Sequence, residues 1–288
     1  MKMVTGVADC VSGLTGKMTK GHGKEYKLLI KEMHDVEKKE NKFLRYSVRE
    51  ADENKRSLRD RIPQKTYDAL EKAFEKGFKL IFEKGGGAIE STGSLEKARE
   101  EGERLNESLE RMIHPDTLKA VDKAAGSRVA SSKFAGTADG TVLGVFGMGM
   151  PDIPIFLGLL LKSCYEIAAA YGFDYRDPRE RKYTIAVMKT AFSREEDRVN
   201  ASRECDDLAG IMERGEEFDR EITDDDMKDI AEVLATEMLV AKFLQGFTFF
   251  GVVGGAFNYN MMSKISKAAR LKYKKRFLYK HMLRLQNR

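Results

Sequence analysis

Three ionisable side chains interrupt one of the most apolar stretches of the chain, residues 147–181. Asp152, Lys162 and Glu166 all lie within this stretch. Burying an ionised group without a partner costs several kcal/mol, so each of these side chains needs a partner or a function. Lys162 and Glu166 are four residues apart, which places them on one face of a helix. They form either an ion pair at the wet edge of a buried helix or a partly buried pair whose pKa values are mutually shifted.

Asp152 precedes a helix that is predicted to begin near Pro154, so it either caps that helix or points into the same groove. A carboxylate in an apolar setting can act as a general base, with Lys162 as an electrostatic stabiliser, and this is the chemistry of a hydrolase acting on a lipid or a peptide. The predicted polar pocket combines these residues with two from glycine-rich segments. Its members are Asp139, Asp152, Lys162, Glu166 and Asn258.

The sequence lacks the motifs of several enzyme classes. Gly16-Lys17 resembles the end of a phosphate-binding loop, but Val11 and Met18 stand where that loop requires glycine and Ser or Thr. There is no HExxH zinc-protease motif and no GxSxG nucleophile motif, and the four histidines are scattered. The three cysteines form neither a CxxC pair nor a Cys/His cluster. We therefore predict no disulfide framework, no metal site and no cofactor.

Helical patterns dominate the chain, and no alternating strand pattern of useful length occurs. Residues 24–61 are dense in helix formers with a narrow apolar stripe, and residues 63–84 keep an aromatic face. Asp177-Pro178 and the acidic run after Thr223 are helix-start signals. The sequence therefore predicts an all-α multi-helix bundle that includes two glycine-rich apolar helical segments.

Two apolar runs, residues 142–161 and 239–257, approach the length of about 20 residues that a membrane-spanning helix needs. The first run contains Asp152, and an acidic residue at the helix centre opposes insertion by about 2.5–3.5 kcal/mol. Three interpretations of these runs remain: membrane-spanning helices, buried core helices, or hinged segments that meet a membrane surface. Glycines recur every four residues from Gly136 to Gly144, which indicates close approach of another backbone in any of these settings.

Charge is distributed unevenly, although the formal net charge is only +5. Residues 193–232, the acidic arm, contain sixteen acidic and six basic residues; residues 264–288, the basic tail, contain ten basic residues and no acidic one. The tail would lie on an anionic membrane, track nucleic-acid phosphates, or pack on its own domain and meet the acidic arm. The membrane-contact candidates are Lys272, Lys274, Lys275, Arg276, Phe277 and Lys280.

Several motifs occur together in one order along the chain. A glycine run is followed by PDIP at 151–154, by an apolar helix ending in YEIAAAYGFD at 165–174, and by an acid–proline helix start. With these motifs the chain resembles the EcsC protein family. Residues 62–90 are similar to the N-terminal helix of that family, and residues 252–269 to its late glycine–asparagine segment. The resemblance spans residues 62–280.

The resemblance implies a largely helical, bacterial-type protein, and it brings no established reaction, cofactor or catalytic residue. The family is named after a gene that lies beside the genes of an ABC transporter, which makes such a membrane protein a possible partner. We divide the chain into a charged N-terminal helical extension, residues 1–60, and an EcsC-like all-helical domain that ends in the basic tail, residues 61–288.

We expect a membrane-associated helical protein that binds lipid or a membrane-protein partner, with a hydrolase as the alternative. The apolar segments 136–161 and 246–258 would form the core or a docking hairpin. The N-terminal residues 1–24 have no long apolar run, so we expect no signal peptide. The scattered cysteines suit a reducing compartment. A cytoplasmic protein, peripheral to the membrane and without a nucleic-acid partner, fits these features.

Overall fold

The computed structural model describes residues 23–49, 62–85, 89, 93–134, 152–219, 221–244 and 255–287. Over these ranges the chain is helical and has no β-strand, which confirms the predicted all-α bundle. The α-helices of this part are α1 (Gly23–Arg49), α2 (Gln64–Leu80), α3 (Gly93–Arg111), α4 (Pro115–Phe134), α5 (Asp152–Ala170), α6 (Pro178–Phe192), α7 (Glu195–Glu213), α8 (Asp224–Leu244) and α9 (Gly255–Gln286). A π-helical segment, Ile81–Gly85, follows α2.

Two helices begin with the capping devices that the sequence predicts. At α6, Asp177 accepts a hydrogen bond from the backbone N–H of Arg179 at 2.9 Å, and Pro178 takes the first helical position. At α8, the backbone N–H of Asp226 donates to Thr223 Oγ1 at 3.1 Å, and the backbone N–H of Thr223 donates to Asp226 Oδ2 at 3.0 Å. This reciprocal pair is a capping box, so the Asp226 carboxylate serves the helix start.

Helices α5 and α9 form the centre of the bundle. Helix α5 packs against α2, α3, α4 and α9, and α9 also packs against α1, α4, α6 and α7. The hydroxyl oxygens of Ser163 and Ser266 are 3.1 Å apart, and further along both helices the rings of Tyr171 and Phe277 pack with centroids 5.6 Å apart. Because both contacts advance in the same order, α5 and α9 run in the same direction. Their N-terminal ends lie toward the same end of the pair.

Helix α1 belongs to the same hydrophobic core as the rest of the chain. Leu29, Met33 and Val36 on its inner face are buried, and the helix packs against α7 and α9. These residues form the narrow apolar stripe that the sequence predicts, and such a stripe is buried only by packing on a neighbouring element. The division of the chain at residue 60 stays a prediction, with α1 as a helix of the N-terminal extension that packs on the helices after residue 60.

The most apolar described helix is a core helix. In the part of the chain that the structure describes, Ile153–Ala170 of α5 is the one segment long and apolar enough to cross a membrane, with a mean hydropathy of 1.5. The bundle buries 83% of this segment. Its apolar side chains are therefore covered by protein, which favours the core interpretation among the three that the sequence leaves open. Residues 142–151 and 245–254 of the two apolar runs lie outside the described residues.

Candidate functional site

The predicted pocket residues Lys162 and Glu166 lie together inside the bundle. Both side chains are buried, and the residues are one helical turn apart on α5. This burial corrects the interpretation of an ion pair at a wet helix edge. Asp152 is the first residue of α5 and Asn258 the fourth of α9, but their side chains, and all of Asp139, lie outside the described residues. A pocket shared by the five residues stays a prediction.

Much of the basic tail lies in the interior of the bundle. Lys272, Lys275 and Arg276 are only 1%, 3% and 4% exposed, and Phe277 is buried as well. The sequence predicts membrane contact at these positions, and the structure corrects this, because their side chains have no path to a bilayer surface in this arrangement. Lys280 is exposed and remains a candidate for membrane contact.

Lys272 and Lys275 form an ionic quartet with Glu40 of α1 and Asp206 of α7. Lys275 Nζ lies 2.7 Å from Glu40 Oε2 and 2.6 Å from Asp206 Oδ2. Lys272 Nζ lies 2.5 Å from Glu40 Oε1 and 2.8 Å from Asp206 Oδ1. The same ammonium group also donates to the carbonyl and hydroxyl oxygens of Ser202, each at 2.7 Å. Each carboxylate bridges both lysines, so the four charges cancel.

Contacts within the quartet favour the charged forms of Glu40, Lys272 and Lys275. Burial alone would raise the pKa of Glu40, but the ammonium groups of Lys272 and Lys275 outweigh it and lower the pKa to about 2. Burial would lower the pKa of both lysines, yet Asp206 and Glu40 hold both values above the ordinary one. The two carboxylates and the two ammonium groups therefore balance one another only as a set, and removal of one member leaves an unbalanced charge in the core.

Arg276 joins α9 to two further helices. Its Nη1 and Nη2 donate to the two carboxylate oxygens of Glu180 at 2.8 and 2.6 Å, and its Nε donates to Glu213 Oε1 at 2.6 Å. The guanidinium carbon lies 4.2 Å from the ring centroid of Phe173 and 4.6 Å from that of Tyr183. Burial raises the pKa of Glu180 despite Arg276, and the nearby Glu213 raises it further. Two carboxylates thus share one guanidinium.

The tail meets acidic residues from five other helices. Lys274 Nζ lies 2.8 Å from Glu32 of α1 and 3.3 Å from Asp122 of α4. Of the three interpretations of the tail, packing on its own domain is confirmed. The acidic arm supplies only Asp206 and Glu213 to these pairs, and α1, α4, α6 and α8 supply the others, with Glu237 of α8 pairing with Lys264 at 2.6 Å. The acidic partners were missed because the pairs join residues far apart in the chain, up to 242 positions for Glu32 and Lys274.

A half-open cleft of about 220 Å³ lies beside Arg276. Residues 172–174 of the turn after α5, the N-terminus of α6, the C-terminus of α7 and Lys280 of α9 form its walls. The YGFD turn and the acid–proline helix start, two of the motifs behind the family resemblance, therefore meet at one cleft. The sequence predicts only a structural role for these motifs, because the α7 and α9 walls come from distant parts of the chain.

The turn at residues 172–174, which forms one wall of the cleft, is held in place by contact with α3. Gly172 has a φ of +77°, a left-handed conformation that favours glycine. Asn106 Nδ2 donates to the Gly102 carbonyl at 3.0 Å and to the Tyr171 carbonyl at 3.2 Å. The side chain of Asn106 lies where a side chain at residue 172 would have to go. The turn is therefore held against α3 in one conformation.

The fold and its charges define an all-helical bundle assembled around a buried basic helix. The model of the EcsC protein family matches residues 27–278, a range that begins within α1 and includes the ionic quartet and most of the cleft. The chain belongs to the EcsC protein family. This match also begins well before residue 62, where the resemblance based on motifs begins.

Two curated relatives come from Bacillus subtilis (strain 168). The chain is 27% identical to "Protein EcsC" over 144 residues, which are 50% of this chain and 55% of the relative. It is 35% identical to "Uncharacterized protein YdbA" over 89 residues, 30% of this chain and 32% of the relative. The chain thus spans about half and about a third of the lengths of these relatives. No solved structure matches the chain.

Proposed function

We propose that the chain is a non-enzymatic, membrane-associated helical protein that binds lipid or a membrane-protein partner through one end of its bundle. The parallel arrangement of α5 and α9 carries this proposal. The glycine-bearing segments 136–161 and 246–258 lead into these two helices, whose N-terminal ends lie toward the same end of the pair. We call this the apolar end. Residues 135–151 and 245–254, which precede the two helices, contain a single charged residue, Asp139.

An exposed aromatic side chain supports the apolar end as the contact surface. Tyr259, the fifth residue of α9, is 54% exposed, and Met112 is the other large apolar side chain exposed to this degree in the described part. Tyrosine is enriched at membrane–water interfaces, where its ring is buried and its hydroxyl stays wet. Since much of the basic tail is buried and paired, attachment would depend on apolar contact more than on attraction to anionic headgroups.

A vesicle-sedimentation experiment tests this proposal. We expect the protein to sediment with phosphatidylcholine vesicles. Adding phosphatidylserine to the vesicles should raise the affinity by less than about tenfold. Phe146→Asp and Phe249→Asp, one in each apolar segment, should each weaken binding by more than about tenfold, because burying a Phe side chain contributes roughly 1.5–3 kcal/mol.

Met112→Asp is the matched control, since it likewise replaces a large apolar residue with aspartate, at an exposed position in the α3–α4 connection. Its binding should equal that of the unchanged protein. Absence of binding to both kinds of vesicle would contradict lipid binding, and equal losses in all three variants would contradict the apolar end as the contact surface.

A membrane-protein partner such as an ABC transporter belongs to the same proposal, because glycines spaced by four residues also allow close helix–helix contact in lipid. The hydrolase alternative receives less support. Its candidate base Glu166 is 3% exposed, so a substrate would reach it only if the bundle opened. We therefore place binding ahead of catalysis.

A further inference from the structure

We propose that the cleft beside Arg276 binds a small zwitterion, a ligand that carries an ammonium group and a carboxylate or phosphate group a few bonds apart. This goes beyond the proposed membrane role, because the cleft is remote from the apolar end. Arg276 lies 21 residues after the first residue of α9, about 30 Å at the helical rise of 1.5 Å per residue.

The cleft contains a half-buried acceptor suited to an ammonium group. The side chain of Glu213 is 9% exposed, and its Oε1 accepts from Arg276 Nε. Its second oxygen, Oε2, has no hydrogen bond from the residues that the structure describes. Glu180 and Glu213 share the single guanidinium of Arg276, so these three side chains carry one formal negative charge in excess. A cationic ligand group would balance that charge where a buried charge is costly.

The cleft also contains a cation suited to the acidic group of the same ligand. Lys280 is exposed, its Nζ lies 5.3 Å from the ring centroid of Phe173, and it has no ion pair with any residue in the described ranges. The other acidic groups in the walls are already paired. These pairs are Asp174 with Arg176, Asp177 with Arg179 and Glu180 with Arg276. Two charges are therefore left for a ligand: the excess negative charge of the two glutamates at Arg276 and the positive charge of Lys280.

The size of the cleft limits the ligand. A volume of about 220 Å³ is below the roughly 300–1,000 Å³ of pockets that hold drug-sized ligands. An amino acid or the head group of an ethanolamine phospholipid is of this size, whereas a nucleotide is larger. Both sources share an ammonium group close to an acidic group, and the experiment must distinguish them.

Isothermal titration of the full chain with L-serine and with O-phosphoethanolamine tests the proposal. Ethanolamine serves as a purely cationic probe and inorganic phosphate as a purely anionic one. We expect one zwitterion to bind at least about tenfold more tightly than either of these two probes. Preference for L-serine indicates a free amino acid, and preference for O-phosphoethanolamine indicates a lipid head group. Lys280→Met and Glu213→Gln should each weaken that binding by at least about tenfold.

Both variants preserve the fold, because Lys280 is exposed and the amide oxygen of glutamine can still accept from Arg276 Nε. Lys119→Met, at an exposed position on α4, is the control and should bind as the unchanged protein does. Binding of neither zwitterion, equal affinity for phosphate alone, or unchanged affinity in both cleft variants would overturn the proposal. Vesicle binding should persist in both variants, which separates this test from that of the apolar end.

Discussion

Replacing Lys275 with methionine lowers the free energy of unfolding by about 3–5 kcal/mol, the cost of breaking a buried ion pair from one side. Lys275 bridges Glu40 and Asp206, and all three side chains are buried. Without it, two carboxylates face the single ammonium group of Lys272, and no water reaches the excess charge. Urea unfolding followed by circular dichroism measures the change.

Lys189→Met provides the matched control, because Lys189 pairs with Asp229 at 3.0 Å on the surface. We expect this change to lower stability by less than about 1 kcal/mol. The double variant Glu40→Met with Lys275→Met restores charge balance, since Lys272 and Asp206 remain, so its loss should be smaller than the sum of the two single losses. Equal effects at Lys275 and Lys189 would contradict a buried quartet.

Replacing Gly102 with alanine should lower the free energy of unfolding by about 3 kcal/mol or more. A Cβ atom at residue 102 would lie 1.9 Å from the Ala169 carbonyl oxygen and 2.9 Å from its carbonyl carbon. Both are backbone atoms of α5 and cannot turn aside as a side chain can, so α3 and α5 would have to move apart. Thermal and urea unfolding report the loss.

Gly126→Ala tests whether the effect is specific to the contact between α3 and α5. Gly126 also lies within a helix, and its nearest neighbours, side-chain atoms of Arg270, would be 3.4 Å or more from the new Cβ. Because alanine favours helix over glycine by about 1 kcal/mol, this variant should be as stable as the unchanged protein or more stable. A similar loss at both glycines would contradict close packing at Gly102.

Local features of the fold could be predicted because their causes lie within a few residues. The Asp177 cap and the Thr223–Asp226 capping box depend on groups two or three positions apart. The apolar stripe of α1 likewise repeats within one helix, although the sequence does not say what covers it. Helix starts and inner faces follow from this short-range chemistry.

The candidate site could not be predicted in the same way, because its contacts join distant residues. The run from Lys272 to Arg276 looks like a solvated basic helix when taken alone. One signal points the other way: at 100° per residue, the basic residues of the tail are spread over all sides of α9, so a packed helix cannot keep all of them in water. Lys272 and Lys275 share one side of the helix, and Lys274 lies on another. Only the structure pairs them with Glu32, Glu40 and other acids from α1, α4 and α7.

Amine-reactive labelling of lysines, measured by mass spectrometry with and without vesicles, tests most directly whether the basic helix forms the centre of the bundle. We expect Lys280 to be labelled as fast as Lys119, while Lys272 and Lys275 react only through unfolding. Vesicles should leave this pattern unchanged. Labelling of Lys272 and Lys275 at the rate of Lys280 in the folded protein would contradict the account.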